Sequence, residues 1–294
     1  MTRRAVPTLT VLVLLAAPVL VPAEPGLKVS WTPARPRVGD VAILKVQRPG
    51  EGAIVEGSVG GRPVTFFPGA GAYAALVGFD LERAAGPEPW RVEVREPRRE
   101  PRVSRGTLNV RHRDFPVQRL TLPVPMVDLD PETERRAVAE GEILRTLYRM
   151  ISPERLWRGP FVRPVAGNDP GSGFGSRRII NGQPRTPHGG TDYAAPRGTP
   201  VVAVNDGRVA LVAEHFFPGR LVVVDHGLGL YTLYFHLDAA RVDIGEHVVR
   251  GQPLGTVGST GRATGPHLHF GIQVGPARVD PDRLLALGTA GLGD

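Results

Sequence analysis

The residues best suited to chemistry are histidines and one aspartate in the second half of the chain. Eight histidines occur, at positions 112, 188, 215, 226, 236, 247, 267 and 269. In Pro266-His267-Leu268-His269-Phe270 two imidazoles stand at i and i+2. In a strand that spacing puts both on one face, while Leu268 and Phe270 enter the other. Such a pair can share a metal site, although two exposed strand histidines would show the same spacing. In His188-Gly189-Gly190-Thr191-Asp192 an imidazole and a carboxylate lie four apart around two glycines. The glycines let the backbone turn tightly, so both side chains can converge. Imidazole and carboxylate suit Zn²⁺, and a catalytic zinc site takes three protein ligands with one position left for water. His188, Asp192 and one histidine of the pair fill that requirement. A third segment, Tyr231-Thr232-Leu233-Tyr234-Phe235-His236-Leu237, has period 2. That period puts Tyr234 and His236 on one face and Leu233, Phe235 and Leu237 on the other. An amphipathic strand with a solvated histidine fits this segment equally well.

The elements that must position these groups are mostly strands. Residues 199–204, 207–213, 220–225, 230–236, 253–257 and 267–274 are β-prone runs separated by Gly, Asn-Asp-Gly and Pro-Gly signals. They follow a Gly- and Pro-rich segment, 159–175, and helices are nearly absent to about residue 285. Upstream, residues 41–47, 53–59, 63–67, 72–77, 90–94 and 107–110 are short β-prone runs with turn punctuation, which predicts a small β-sandwich. Between the two regions, Asp130-Pro131-Glu132 sets a capping side chain, a first-turn proline and an early acid in order. A helix is expected there, with Ala137, Ile143, Leu144, Leu147 and Met150 packing one face on a domain. The expected fold is therefore mainly β. It comprises an export signal at 1–23, a β-sandwich-like accessory domain at 24–115, a helical connector at 116–158 and an antiparallel β domain at 159–294.

The three histidine segments together resemble the lysostaphin/LytM-type zinc endopeptidases over roughly residues 160–285. The resemblance rests on Phe174-Gly175-Ser176-Arg177-Arg178, the H-x-x-x-D of His188 and Asp192, and Gly198-Thr199-Pro200-Val201. It continues through Asp206-Gly207, Asp225-His226-Gly227, the Y-x-H-L from Tyr234 to Leu237, and Gly245 with Val248 and Gly251. It ends in Gly258-Ser259-Thr260-Gly261 and Thr264-Gly265-Pro266-His267-Leu268-His269, with no departure at the motif positions. The Gram-negative, periplasmic type with an added amino-terminal β domain is the nearest flavour. The resemblance implies the LytM-type (duplicated hybrid motif) fold, with Zn²⁺ bound by His188, Asp192 and His269 and flanked by His236 and His267. His267 would act as general base toward a zinc-acidified water, and His236 would stabilise the oxyanion. The remaining histidines lack convergent partners and are expected to be structural or solvated.

The same resemblance implies an exported endopeptidase for the peptide cross-links of peptidoglycan, acting on stem peptides between D-alanine and diaminopimelate. Glycine bridges or secreted proteins are alternative substrates. A catalytically silent scaffold that activates another wall hydrolase, and an envelope adaptor protein as partner, belong to the same family picture. All five site positions carry usable groups, which favours the enzyme over the scaffold. Specificity depends on segments such as 178–186 and 215–220, whose shapes do not follow from local pattern.

The wider composition agrees with export to the periplasm or cell envelope. Arg3 and Arg4 precede an apolar run at about 9–21 and a small-residue exit at Val21-Pro22-Ala23, the pattern of a cleaved secretory signal. The run is short for a bilayer span, which needs about 20 residues, and no second run of that length follows, so no transmembrane segment is expected in the mature chain. With 0 Cys there is no thiol to acylate and no disulfide staple. At 294 residues and 41% hydrophobic the chain is large enough for more than one core. Loss of residues 1–23 removes two arginines and no acid from 36 basic and 29 acidic residues, leaving 34 against 29 and a net +5. A basic exported chain suits polyanionic envelope material, and an Arg-rich composition with no binding role accounts for the charge equally well. Nucleic acid is excluded as a partner by export and by the scatter of the arginines.

Overall fold

The computed structural model describes residues 27–47, 49–69, 71–167 and 173–287. The expected export signal lies outside the described residues. In chain order the elements are β1 (Lys28–Thr32), β2 (Val41–Gln47), β3 (Ile54–Val59), β4 (Arg62–Val64), β5 (Phe67–Gly69), β6 (Ala72–Gly78), β7 (Gly86–Arg95), β8 (Arg102–Val110), β9 (Val117–Leu120) and α1 (Pro131–Arg149). There follow β10 (Arg177–Ile180), β11 (Gln183–Pro184), β12 (Gly190–Ala194), β13 (Pro200–Val202), β14 (Gly207–His215), β15 (Gly219–Asp225), β16 (Leu230–Ala240), β17 (His247–Val248), β18 (Pro253–Val257), β19 (His267–Val274), β20 (Ala277–Val279) and α2 (Pro281–Leu287). The described residues are mainly β, and their strands pair antiparallel except β9 with β10.

The first eight strands make two four-stranded sheets, ordered β1-β2-β6-β5 and β4-β3-β7-β8. Between them lies a core that includes Ala42, Leu44, Val46, Val77, Phe79, Val92 and Val94. Strand β2 is buried on both faces, which is why Val41 to Leu44 form an unbroken apolar run. Val41 and Ile43, with Phe67 and Ala74, turn away from the sandwich into a second core shared with Trp157, Tyr193, Val222 and Phe270. The two regions are therefore fused along a sheet face. Gly78 marks the closest approach, since a Cβ there would stand 2.7 Å from that of Ala277. At the rim of the contact Arg278 donates to Asp80 at 3.1 Å and pairs with Glu82.

The downstream sheet has nine strands, with β12-β19-β16-β15-β14-β17 as its main path and β13, β18 and β20 paired alongside. Helix α1 begins where the capping signal places it: Asp130 accepts hydrogen bonds from the amides of Glu132 and Thr133, both at 3.0 Å. Its buried stripe differs from expectation. Leu144, Leu147 and Tyr148 pack on Tyr231, Leu233 and Phe235 of β16, whereas Ile143 and Met150 are exposed. A straight helix turns about 100° per residue, so both lie off the stripe that runs through Leu144 and Tyr148. The connector also contributes strand β9, pairing parallel with β10, where a strandless link was expected. Residues 178–186 contain a tight hairpin, β10-Asn181-Gly182-β11, with φ +50° at Asn181 and +81° at Gly182. Asn-Gly is the residue pair that such a turn favours.

Candidate metal centre

Three neighbouring strands supply the site. Asp192 of β12 faces His269 of β19 across the ladder, and His269 faces Phe235 of β16. All three therefore share the face opposite the one that packs Tyr193, Leu268 and Phe270 into the core. His188 stands just ahead of β12. Its amide donates to the Ser176 carbonyl at 3.0 Å and its Nδ1 donates to the Gly173 carbonyl at 2.9 Å. Gly190 is required beneath it, because a Cβ there would lie 2.8 Å from His269 Nε2 and 2.4 Å from the Phe270 carbonyl.

The loop that holds His188 is braced by the accessory sandwich. Phe115 meets Phe174 edge-on at 6.0 Å, and the Arg113 guanidinium lies 5.0 Å from the first ring and 5.7 Å from the second. Gly175 sits so close to Phe115 that a Cβ would reach to 2.0 Å of its Cδ1. Arg113 is itself held by Asp280 at 2.7 Å.

His188 Nε2, His269 Nδ1 and Asp192 Oδ1 form a triangle with sides of 2.8, 2.9 and 3.0 Å. The Gly173 carbonyl occupies the only proton of a neutral His188, so Nε2 presents a lone pair. A single hydrogen on His269 Nδ1 would then have to serve both His188 and Asp192. A cation seated against the three atoms satisfies every lone pair, and one carboxylate with two imidazoles is a donor set suited to zinc. The triangle is a few tenths of an ångström tighter than the roughly 3.3 Å edge of a tetrahedron built at zinc–ligand distances. Burial works to raise the Asp192 pKa, but its contacts with His188 and His269 hold the carboxyl well below the usual carboxylate range. Burial pushes His269 down to about 4, against the pull of Asp192. Both groups are thus in the deprotonated form a metal needs.

His236 and His267 complete the cluster, with ring centroids 4.7 Å apart and His236 6.0 Å from His269. His236 reaches the site by a route that strand alternation does not predict. Its φ is +62°, in the left-handed region that L residues enter only under constraint. The kink coincides with irregular pairing on either side of β16. Phe235 and His236 consequently both face the site, while Tyr234 and Leu237 both enter the core. Tyr234 is therefore a core residue, with its hydroxyl accepting from the Val204 amide at 3.1 Å, and does not share the face of His236 as period 2 implies. Phe235, expected on the opposite face, stacks on His269 with rings 5.3 Å apart and 14° from parallel.

His236 donates from Nδ1 to the Thr260 carbonyl at 2.9 Å, and His267 donates from Nδ1 to the Gly265 carbonyl at 2.8 Å. Both rings thus present an Nε2 lone pair. Burial, with the neighbouring His269 and His267, lowers the His236 pKa to about 3. The resting tautomer therefore lacks the N–H donor that the expected oxyanion role requires of His236. Among residues that pattern reading did not single out, Phe235 orients His269, Thr260 orients His236, and Arg178 stands 3.5 Å from Asp192 Oδ2. Arg178 and Thr260 lie in the recognised motif segments, which was the available signal. Phe235 is found only from the cross-strand register. The other histidines stay apart: His112 and His247 are exposed, His215 is buried, and His226 is buried between the Asp206 carbonyl and Thr232 Oγ1.

A family model described as Peptidase family M23 matches residues 186–281, the stretch that holds all five site residues. Peptidoglycan DD-endopeptidase ShyA of Vibrio cholerae is 45% identical over 135 residues, 46% of this chain and 29% of the relative. ShyB of the same organism is 43% identical over 111 residues, 37% of this chain and 26% of the relative. The matches thus span less than a third of the length of these curated relatives. A crystal structure of a peptidase M23 protein from Pseudomonas aeruginosa is 32% identical, with a TM-score of 0.65, and the match covers 85% of this chain and 95% of that one. That likeness takes in the amino-terminal sheets as well as the histidine-bearing one. A site built from His188, Asp192 and His269 on this fold, with kinship over nearly the whole of a solved relative, establishes that the chain belongs to peptidase family M23.

Proposed function

We propose that the chain is an exported zinc-dependent endopeptidase that hydrolyses the peptide cross-links of peptidoglycan, between D-alanine and diaminopimelate. The observation that carries this reading is the triangle of His188, Asp192 and His269 with two acceptor imidazoles beside it. The names of the Vibrio relatives, both peptidoglycan DD-endopeptidases, supply the substrate class. Among the described residues no helix is long and apolar enough to cross a membrane.

His188 through Nε2, His269 through Nδ1 and Asp192 through Oδ1 would hold the metal. Zinc bound there supplies Lewis-acid polarisation of a carbonyl and lowers the pKa of a water toward about 7. The protein's part is proton handling. His267 takes the proton of the attacking water on Nε2, the lone pair its bond to Gly265 leaves free. His236, 4.7 Å away, is also an acceptor at rest and becomes a donor to negative charge only once it is protonated. The two rings act as one proton relay, and the proton taken from water leaves on the departing amine. Phe235 and Gly173 keep the ligand rings from turning. Digestion of purified sacculi with and without a chelator, followed by identification of the bond that disappears, tests the reading. Release of cross-linked fragments only in the presence of zinc is the expected result. Binding to sacculi without any bond cleaved would identify the silent scaffold instead.

A further inference from the structure

Beside the metal centre lies a concentration of positive charge that the hydrolytic step does not use. Arg178, on β10, points a guanidinium nitrogen at Asp192 Oδ2, the carboxylate oxygen turned away from His188 and His269. Its Nε lies 3.3 Å from Gln118 Oε1. Arg262 follows the Thr260-Gly261 turn, donates its amide to the Phe217 carbonyl at 3.0 Å, and lays its guanidinium 4.1 Å from the centre of the Phe217 ring. That turn is locked in place, since Gly219 and Gly261 approach so closely that a Cβ on Gly261 would stand 2.2 Å from the Gly219 amide. The same turn supplies the carbonyl that orients His236. Burial first, then the charges of Arg178 and Arg185, push the Arg262 pKa down to about 10. Among the described residues Arg262 makes no ion pair, and the ion pair of Arg185 is with Asp128, at 3.6 Å.

Arg178 reaches the centre at Asp192, and Arg262 lies two residues past Thr260, whose carbonyl holds His236, so the two arginines border the same cluster of site side chains. A half-buried guanidinium with no ion pair among the described residues is unfavourable until an anion arrives. The planar fork of arginine fits a carboxylate through two parallel hydrogen bonds. Arg178 touches a residue of the ligand triangle, so an anion it held would lie within one residue's length of a carbonyl placed at that triangle. We propose that Arg178 and Arg262 form a carboxylate subsite that takes a free carboxylate on the leaving-amine side of the scissile bond. This deepens the endopeptidase reading and rests on it. The chemistry fits a leaving amine whose own carbon bears a free carboxylate, as at the diaminopimelate end of a cross-link. It also fits a carboxy-terminal residue, and it disfavours glycine bridges, which carry no such group.

The test uses the intact zinc-loaded chain and synthetic stem peptides that differ only in that carboxylate, free or as the carboxamide. Each is made both as a branched cross-link and as a linear peptide ending at the leaving residue. The free acid is expected to exceed the carboxamide in kcat/KM by about 10- to 100-fold, the scale of a charge-assisted hydrogen bond. Arg262→Gln is expected to bring the two rates together, mainly through KM, and Arg262→Lys to restore part of the gap. A preference confined to the branched peptides identifies the cross-link as the source, and one shown by the linear peptides identifies a carboxy-terminal residue. Equal rates for acid and carboxamide, or a gap that survives Arg262→Gln and Arg178→Gln with metal content intact, overturn the subsite. If the unsubstituted chain cleaves neither peptides nor sacculi, the endopeptidase reading is what has failed. The subsite is then judged by calorimetric titration of the same peptides, where equal affinity for acid and carboxamide rejects it.

Discussion

The accessory sandwich and the nine-stranded sheet are both built from alternating antiparallel strands, yet only one carries a chemical centre. In the sandwich, polar side chains on exposed faces neutralise one another locally: Glu93 pairs with Arg91 and Arg95, and Glu96 with Arg99 and Arg102. Such pairs satisfy their own charges and leave nothing over for a ligand. In the nine-stranded sheet, register sets Asp192 against His269, the kink at His236 adds a third strand's imidazole, and Gly173 and Gly190 let the backbone come close enough for convergence. Backbone carbonyls then take the Nδ1 protons of His188, His236 and His267 and leave their Nε2 atoms as acceptors. A sheet becomes a site when polar groups are held without satisfying each other. The sandwich is nevertheless tied to the site sheet: Val41, Ile43 and Phe67 enter the core beneath it and Phe115 braces the loop of His188.

This contrast can be broken most severely at the ligand triangle. His269→Ala should lose bound zinc and sacculus-digesting activity together, as measured by metal content and fragment release. His267→Ala should keep stoichiometric zinc while kcat falls by about 10²- to 10⁴-fold, the usual worth of a general base. Loss of metal from the second variant and retention by the first would reverse the division of roles.

A smaller effect concerns a histidine of the site sheet that is fully satisfied in its neutral form. His226 donates to the Asp206 carbonyl at 2.7 Å, with Thr232 Oγ1 at 2.8 Å from its other nitrogen, and burial lowers its pKa to about 4. Above pH ~6.5 the ring is neutral in both folded and unfolded chains and makes no difference. As pH falls below that value the unfolded chain takes a proton that the folded chain refuses, so stability declines until the folded-state pKa is reached. The loss is on the order of 3 kcal/mol. Urea denaturation from pH 7 to pH 4 should show this slope, and His226→Gln should flatten it by a comparable amount.

The smallest expected effect probes the seam between the regions. Phe115→Ala should weaken zinc binding by about tenfold in competition with a chelator, the scale seen when groups behind a ligand are removed, and Phe115→Leu should recover part of it. Trp90→Ala, in the same sandwich but packed against Trp31, should lower the melting temperature and leave zinc affinity untouched. Equal effects of the two alanine substitutions on zinc would mean that the sandwich stabilises the chain generally and does not brace His188.

Much of this molecule was legible in the chain itself. Turn punctuation and period-2 runs mark most strands to within a few residues, and Asp130-Pro131-Glu132 marks the start of α1, because these signals act within one turn or one strand. His188, Asp192, His267 and His269 stand out for the same reason, their spacing on a single strand or turn being enough to suggest convergence. What tertiary structure alone decided is the geometry between strands. Whether His236 shares the face of Phe235 or that of Tyr234 depends on its positive φ, which no local preference of histidine dictates and which holds only because neighbouring strands enforce it. The brace from Phe115 and the placement of Arg178 beside Asp192 likewise join segments that are apart in sequence. Local sequence carries conformational preference, but which side chains meet across a sheet follows from register and close packing, which are properties of the whole fold.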